Sequence, residues 1–181
     1  MIKAVIFDMD GVLIDTEPLH YRCWKEILKE HYDVEFDYDI YLPCIGSTRQ
    51  FFRDLVKEHY GVDFPDLDEM NRIMKVKKSQ IVKAEGFPEM PGVENALKQL
   101  KEMGYKLAVA SSSPESEIMD AMTRLGLMPY FDSITSGDHV EHPKPEPDTF
   151  LLAAERLNVP TDNCLVIEDS TNGGRAALAA K

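Results

Sequence analysis

The sequence predicts a doubly wound α/β fold, a parallel sheet with helices on both faces, into which an all-helical block is inserted. Short apolar runs at 4–7, 106–110 and 164–167 each end in polar residues, as buried parallel strands do. From residue 92 onward, strand patterns alternate with helical patterns, which predicts parallel crossovers. Between the first strand and this alternation, apolar residues recur at helical spacing only. We therefore expect a core domain of residues 1–15 and 88–181 and a helical cap domain of residues 16–87.

Three helices are predicted in the inserted block, at about 16–32, 47–61 and 67–84. Thr16 or Glu17 can cap the first helix, and Ser47 or Thr48 can cap the second. Gly61 is a suitable stop for the second helix. The chain passes between the two expected domains twice, at Thr16 and at the Pro/Gly-rich segment 85–92, and both crossings are natural hinges for closure of the cap.

The chain from residue 93 onward supplies the remaining strands of the sheet and the helices that pack on it. Helices are predicted at 93–103, 114–126, 147–158 and from about 172, and strands at 106–110, 133–135 and 164–167. Ser113 is expected to cap the helix at 114–126, and Pro147 to open the next one.

Composition limits the possible partners and the compartment. The 181 residues carry a net charge of −12, which disfavours nucleic acid and anionic membranes as partners. The three cysteines lie far apart, which indicates reduced thiols and neither a disulfide framework nor a zinc site. No apolar run suits a signal peptide or a membrane span. We expect a cytoplasmic monomer.

Two acids directly follow the first strand. Asp8 and Asp10 are two residues apart, so on extended backbone both side chains project to the same side, and Gly11 lets the chain turn away. Their mutual repulsion requires a counter-charge, which Mg²⁺ provides with oxygen ligands alone. One carboxylate could then attack an electrophile held by the same metal. The alternative is an Asp-rich turn after a strand.

The other strand ends carry complementary groups, and ligands of open α/β sheets bind at this edge. Ser111 follows the second strand and could cradle a phosphate, although the serines there could equally cap a helix. Lys144 lies between two prolines and could present a fixed positive charge or be a solvated surface lysine. Glu168 and Asp169 end the last strand, where at least one is expected to face Asp8 unless both belong to an exposed turn.

These four segments together resemble the motifs of the haloacid-dehalogenase-like (HAD) superfamily. The run from Asp8 to Thr16, with sequence DMDGVLIDT, is similar to its first motif, closest to the branch of beta-phosphoglucomutase and sugar-phosphate phosphatases. Ser111, Lys144 and the Glu168–Asp169 pair match the second, third and fourth motifs. The resemblance implies a Rossmann-like core and about one more strand and helix, which this sequence is expected to lack.

The resemblance also implies roles for these residues. Asp8 would be the nucleophile that forms an aspartyl-phosphate, and Asp10 the general acid and base. Ser111 and Lys144 would hold the phosphoryl group. The metal ligands of Mg²⁺ would be Asp8, Asp169 and the Asp10 backbone carbonyl, with Glu168 as a ligand or in support.

Residues expected to bind the substrate come from the cap and the serine run. The candidates are Thr16, His20, Trp24, Arg49 and Ser112. His20 and Trp24 share a helix face, and the mutase has a similar pair, but Trp24 could also be a core residue. Arg49 follows a turn at Gly46 and could bind a second phosphate or a sugar hydroxyl, or be solvated. Ile45 stands where the mutase has a lysine, which favours a phosphatase.

The function predicted is that of a Mg²⁺-dependent phosphomonoester hydrolase acting on a small phosphorylated metabolite, a sugar phosphate. The alternative on the same scaffold is a beta-phosphoglucomutase-like phosphomutase. A phospho-acceptor signalling module is disfavoured because it has no helical insertion after its first strand. An inactive binding protein is disfavoured by the intact acids, but the expected lack of the last strand and helix keeps this alternative open.

Overall fold

The computed structural model describes residues 1–45, 47–64 and 66–181. The chain divides into two compact units. The first consists of Met1–Asp15 and Phe87–Lys181, and the second is Thr16–Gly86. The turn predicted at Gly46 lies outside the described residues.

The first unit, here called the core unit, is built on a parallel sheet. Its strands are β1 (Ala4–Phe7), β2 (Lys106–Ser111), β3 (Ser133–Ser136) and β4 (Cys164–Ile167), in the spatial order β3-β2-β1-β4. Phe7 lies opposite Val109 on one side and Ile167 on the other. Because all the strands are parallel, their carboxyl ends meet at one edge of the sheet.

Helices cover both faces of this sheet. One face packs against α5 (Val93–Glu102) and α6 (Glu115–Arg124), and the other against α7 (Asp148–Leu157) and α8 (Thr171–Ala179). Along β1 the side chains alternate between the two faces. Val5 and Phe7 pack in the apolar cluster that includes α5 and α6, and Ala4 and Ile6 pack in the cluster that includes α7 and α8. The predicted doubly wound α/β fold is confirmed.

Strand β4 is less buried than its apolar sequence suggests. Leu165 is 47% exposed and Ile167 is 38% exposed. Their register with Val5 and Phe7 places them on the face that α5 and α6 cover. Neither helix extends over β4, which is an edge strand, whereas Cys164 and Val166 pack against the cluster of α7 and α8.

The second unit, here called the helical unit, contains α1 (Thr16–Tyr32), α2 (Tyr38–Tyr41), α3 (Arg49–Tyr60) and α4 (Leu67–Glu85). As predicted, Thr48 caps α3 by accepting a hydrogen bond from the Phe51 N–H, and Gly61 ends that helix with φ 69°. The Trp24 ring lies 4.4 Å from the Phe52 ring at the centre of an aromatic core. In the described residues, no helix combines the length and apolar character that a membrane span requires.

Candidate active site

Asp8 lies immediately after β1 and is buried, with 7% of its surface exposed. Its backbone N–H donates to the Ile167 carbonyl at 2.9 Å, which continues the pairing of β1 with β4 beyond the last strand residue. The side chain thereby enters the edge of the sheet where the strands end. Its Oδ1 accepts a hydrogen bond from the Lys144 ammonium at 2.5 Å.

Lys144 belongs to the segment between β3 and α7, and its side chain is only 6% exposed. Besides Asp8, its Nζ contacts Glu168 Oε2 at 2.7 Å. The ammonium also lies 4.6 Å from the centre of the Phe150 ring, an arrangement that favours a cation. Lys144 is therefore a buried, doubly paired cation and not a solvated surface side chain.

Glu168 is held by donors on both carboxylate oxygens. While Oε2 bonds Lys144, Oε1 accepts from the Ser170 N–H at 3.0 Å and from the Ser170 hydroxyl at 2.7 Å. Ser170 is also the N-cap of α8, where its Oγ accepts from the Gly173 N–H at 3.0 Å. A Cβ atom on Gly173 would lie 1.9 Å from Glu168 Cδ, so only glycine leaves room for this carboxylate.

Asp169 is exposed and packs its carboxylate against Gly11. Gly11 has φ 77°, which L side chains rarely adopt, and a Cβ there would lie 2.1 Å from Asp169 Oδ2. The turn after Asp10 thus requires glycine for its backbone and for this contact. Within the described part of the chain, the Asp169 carboxylate accepts no hydrogen bond from another residue.

The carboxylates of Asp8, Glu168 and Asp169 form a group in which each offers an oxygen within 4.8 Å of the others. Burial raises the pKa of Asp8 to about 6, although the Lys144 ammonium opposes this. Burial also raises the pKa of Asp169, to which the charges of Glu168 and Asp10 add. For Glu168 the effect of burial is outweighed by the hydrogen bonds from Lys144 and Ser170, so its pKa is lowered. This cluster is called the acid cluster below.

The acid cluster fits a hard divalent cation. Mg²⁺ takes oxygen ligands, and the three residues offer carboxylate oxygens close together, those of Asp169 without a donor from another described residue. Among the described residues, Lys144 is the one cation whose ion pairs join this group, so three carboxylates face one ammonium. The Asp10 side chain lies outside the group, and its backbone carbonyl as a ligand stays a prediction.

The serine run after β2 contacts Asp10. Ser111, the last residue of β2, is buried, and its Oγ accepts from the Ser113 N–H at 3.1 Å. Ser112 is exposed. The Ser113 hydroxyl donates to Asp10 Oδ2 at 3.1 Å.

The expectation that Ser113 caps the next helix is wrong. Helix α6 begins at Glu115 after Pro114, without a side-chain cap from the residue before it. Asp138 Oδ2 instead accepts from the Glu115 N–H at 3.2 Å. The acceptor for the helix terminus comes from a distant segment, which frees the Ser113 hydroxyl for Asp10.

The helical unit contains a polar cavity of about 440 Å³. It is lined by Glu17, His20, Trp24, Tyr41, Cys44, Ser47, Thr48, Arg49, Phe52 and Asn71. The cavity therefore includes three of the residues expected to bind substrate, namely His20, Trp24 and Arg49. The fourth cap candidate, Thr16, is buried at the first position of α1.

Two polar pairs define the character of this cavity. The Arg49 guanidinium lies 5.3 Å from the Trp24 ring centre and donates from Nε to Asn71 Oδ1 at 3.2 Å. Burial lowers the pKa of Arg49. On another wall, the Tyr41 hydroxyl donates to Glu17 Oε2 at 2.9 Å, and burial together with the Glu17 charge raises the pKa of Tyr41. The cavity thus offers one fixed donor group and one fixed acceptor group.

Several of these residues do not stand out in the sequence. Ser113, Phe150, Ser170 and Gly173 act through contacts with the motif residues, and Glu17, Tyr41 and Asn71 line the cavity. Ser170 has a correct local signal, since a serine three residues before Gly173 at a helix start is a typical cap, whereas the same signal at Ser113 predicts the wrong role. The others depend on contacts between distant segments, which no local pattern reports.

Comparison with known proteins places the chain in a family. The model of haloacid dehalogenase-like hydrolases matches residues 2–181. The chain is 37% identical to the phosphorylated carbohydrates phosphatase of Thermotoga maritima, over 99% of this chain and 82% of that protein. It is 34% identical to the fructose-1-phosphate phosphatase YqaB of Escherichia coli, over 98% of this chain and 92% of that protein.

A solved structure agrees with these sequence matches. A Thermotoga maritima protein assigned as a beta-phosphoglucomutase aligns with 99% of this chain and 82% of its own, with 35% identity and a TM-score of 0.81. The chain belongs to the haloacid dehalogenase-like hydrolase family, so the resemblance predicted from the motifs is confirmed. The expected enzyme class, a phosphoric monoester hydrolase, is confirmed as well.

Proposed function

We propose that this enzyme is a Mg²⁺-dependent phosphatase of a small phosphorylated sugar and that Asp8 is its nucleophile. The observation that carries the proposal is the environment of Asp8, a buried carboxylate 2.5 Å from the Lys144 ammonium and within the acid cluster. A phosphoryl group needs in-line placement and neutralised charge more than any other assistance. Lys144 supplies a fixed positive charge beside the atom that would attack.

Asp8 and Asp169 would hold the metal, together with the Asp10 carbonyl. Glu168, whose two oxygens are already occupied by Lys144 and Ser170, suits a supporting role. When bound, Mg²⁺ supplies positive charge that offsets the acid cluster and polarises the phosphoryl oxygens. Ser111, buried at the end of β2, would bind the phosphoryl group. The exposed Ser112 would contact the substrate beside it.

The reaction proceeds in two displacements on the phosphorus atom. An Asp8 oxygen attacks phosphorus while the bond to the sugar oxygen breaks, and that oxygen takes a proton from Asp10 to leave as an alcohol. Asp10, now a carboxylate, accepts a proton from the water that attacks the aspartyl-phosphate. This second step releases phosphate and restores both acids.

The cavity of the helical unit supports a sugar monophosphate over a bisphosphate. Hydroxyl groups can donate to Glu17 and accept from Arg49, whereas a phosphate bound in this cavity would meet the Glu17 carboxylate. Ile45, where the mutase resemblance predicts a lysine, is exposed and uncharged. These features favour a phosphatase, although the assigned mutase among the solved structures keeps the phosphomutase as the second candidate.

Phosphate release tests this proposal. The full chain is incubated with fructose 1-phosphate, hexitol phosphates, glucose 6-phosphate and p-nitrophenyl phosphate, with Mg²⁺ or with EDTA. We expect release that depends on Mg²⁺ and falls at least about 1000-fold in Asp8→Asn. Activity that survives EDTA or Asp8→Asn would contradict the proposal. Conversion of glucose 1-phosphate to glucose 6-phosphate after bisphosphate priming, without release, would favour the mutase.

A cytoplasmic location and a monomeric state stay predictions. Size-exclusion chromatography with light scattering measures the second of these directly. A single species at the mass of one chain is expected.

A further inference from the structure

Ser113 has no role in helix capping, yet all of its polar groups are held in place. Its N–H donates to Ser111 Oγ at 3.1 Å, and its carbonyl accepts from the Ser136 hydroxyl at 2.7 Å. Ser136 is fully buried, and its Oγ also accepts from the Asp138 N–H at 3.0 Å. The backbone of Ser113 is thus fixed between the ends of β2 and β3, and its hydroxyl points to Asp10.

We propose that Ser113 is a positioning residue that holds the Asp10 carboxyl group in one orientation by binding its Oδ2. The Ser113 hydroxyl donates to Asp10 Oδ2 at 3.1 Å, which ties down that oxygen and leaves Oδ1 for proton transfer. This role rests on the proposed function, in which Asp10 protonates the leaving sugar oxygen.

The same bond serves both halves of the reaction. In the first step the proton leaves Oδ1 for the sugar oxygen, while Oδ2 keeps its bond to Ser113 and does not rotate into its place. In the second step the carboxylate accepts a proton from water on Oδ1 again. A carboxyl group without this bond would populate several rotamers, so fewer encounters with the leaving oxygen would be productive.

The choice of leaving group separates this role from a structural one. A sugar alkoxide needs a proton as it leaves, whereas p-nitrophenolate is stable and leaves without one. The ratio kcat/KM reports the steps up to the transfer to Asp8, in which the leaving group departs. Loss of Ser113 should therefore affect the two substrates differently.

The experiment measures kcat/KM for the best sugar phosphate and for p-nitrophenyl phosphate with saturating Mg²⁺. In Ser113→Ala we expect a fall of about 10-fold for the sugar phosphate and less than about 2-fold for the aryl phosphate. Ser113→Thr keeps the hydroxyl and should restore most of the lost activity. Ser116→Ala, an exposed serine of α6, is the matched control and should equal the wild type.

Equal losses for both substrates, or no loss for either, would overturn the role of Ser113. If Ser113→Ala does not fold, Ser113→Cys retains the volume with a weaker donor and is expected to show the same selective loss. A wild-type chain that hydrolyses neither substrate would instead refute the proposed function itself, and the role of Ser113 with it. Activity in the wild type together with inactivity of Asp8→Asn would support the proposed function, on which the role of Ser113 rests.

Discussion

At the scale of residues, the site is organised by one ammonium between two carboxylates. Lys144 pairs with Asp8 and Glu168, and all three side chains are at most 10% exposed. Buried charges are costly unless they are paired, so removing any one of them leaves another uncompensated. Glu168 is the better stabilised acid because Ser170 gives it two further hydrogen bonds, whereas the Asp8 carboxylate depends on Lys144. That asymmetry suits Asp8 to a reaction and Glu168 to support.

Asp169 should be the main contributor of Mg²⁺ affinity at this scale. Thermal unfolding of the wild type should shift upward with MgCl₂, by about 2.7 kcal/mol in unfolding free energy at 100 times Kd. Asp169→Asn removes a ligand charge, and we expect most of this shift to disappear. The control is Asp162→Asn, an exposed acid outside the cluster. A full shift in Asp169→Asn, with KCl at matched ionic strength as the reference, would refute the ligand role.

The convergence of Asp8, Lys144 and Glu168 could be predicted because each follows a parallel strand, and parallel strands end at one edge. The sequence predicts the wrong partner for Ser113 because a serine before a helix is a typical cap. The acceptor that replaces it, Asp138, is 23 residues away in sequence from Glu115. Local patterns carry no information about such competition between distant partners.

At the scale of elements, the start of α8 is shaped around Glu168. Ser170 caps the helix and binds the acid with the same hydroxyl, and Gly173 provides the space that the acid occupies. A glycine inside a helix costs about 0.5–1 kcal/mol relative to alanine. At Gly173 this cost has a geometric reason, but at Gly174 a Cβ would meet nothing within 4 Å.

Alanine at these two adjacent glycines should have different effects on stability and activity. Gly174→Ala should raise the unfolding free energy by about 0.5–1 kcal/mol and leave activity unchanged. Gly173→Ala should displace Glu168 from Lys144 and Ser170, losing at least about 10-fold in kcat/KM and gaining no stability. Chemical denaturation and phosphate release measure both effects. Equal behaviour of the two variants would contradict the packing of Glu168 against α8.

Asp132, the residue before β3, connects α5 and β2 through a salt bridge and a hydrogen bond. The Asp132 carboxylate accepts from the Leu107 N–H at 2.8 Å and from the Lys101 ammonium at 2.9 Å. Burial by itself raises the pKa of Asp132, but these two donors outweigh it and the pKa is lowered. A lowered pKa means that the charged form stabilises the fold above the unfolded pKa of about 3.9, and that this stability is lost as pH falls through the folded pKa.

Asp132→Asn should therefore destabilise the chain in a pH-dependent way. Because the pair with Lys101 is partly exposed, we expect only about 0.5–1 kcal/mol at pH 7. The difference from the wild type should shrink as the pH falls below about 5. Urea denaturation at several pH values tests this, with Asp162→Asn as the control. A difference that is constant with pH would show that the charge of Asp132 is not responsible.

Most element bounds could be predicted because periodicity and caps are local. Thr48 and Gly61 bracket α3 as expected, and β4 has the predicted limits. The sequence does not predict the four-residue helix α2, since one turn is too short for a periodic signal. The exposure of Leu165 and Ile167 was also unforeseen, because it depends on how far α5 and α6 extend across the sheet.

At the scale of the whole molecule, an acidic enzyme must handle an anionic substrate. The net charge of −12 repels phosphate esters at long range, and the proposed Mg²⁺ and Lys144 act only at short range. Raising the ionic strength from about 10 to about 150 mM should therefore leave kcat/KM unchanged or raise it up to a few-fold. Steady-state kinetics at constant free Mg²⁺ measure this. A steep fall with salt would indicate attractive steering and contradict the charge argument.

The proposed mechanism requires that a phosphoryl group is bound covalently to Asp8 during turnover. Acid quenching of the working enzyme, reduction with borohydride and peptide mass spectrometry test it most directly, because an aspartyl-phosphate is reduced to homoserine while a free aspartate is not. We predict homoserine at position 8 only when substrate and Mg²⁺ are both present. Homoserine at position 10 or 169, or none during active turnover, would contradict the nucleophilic role of Asp8.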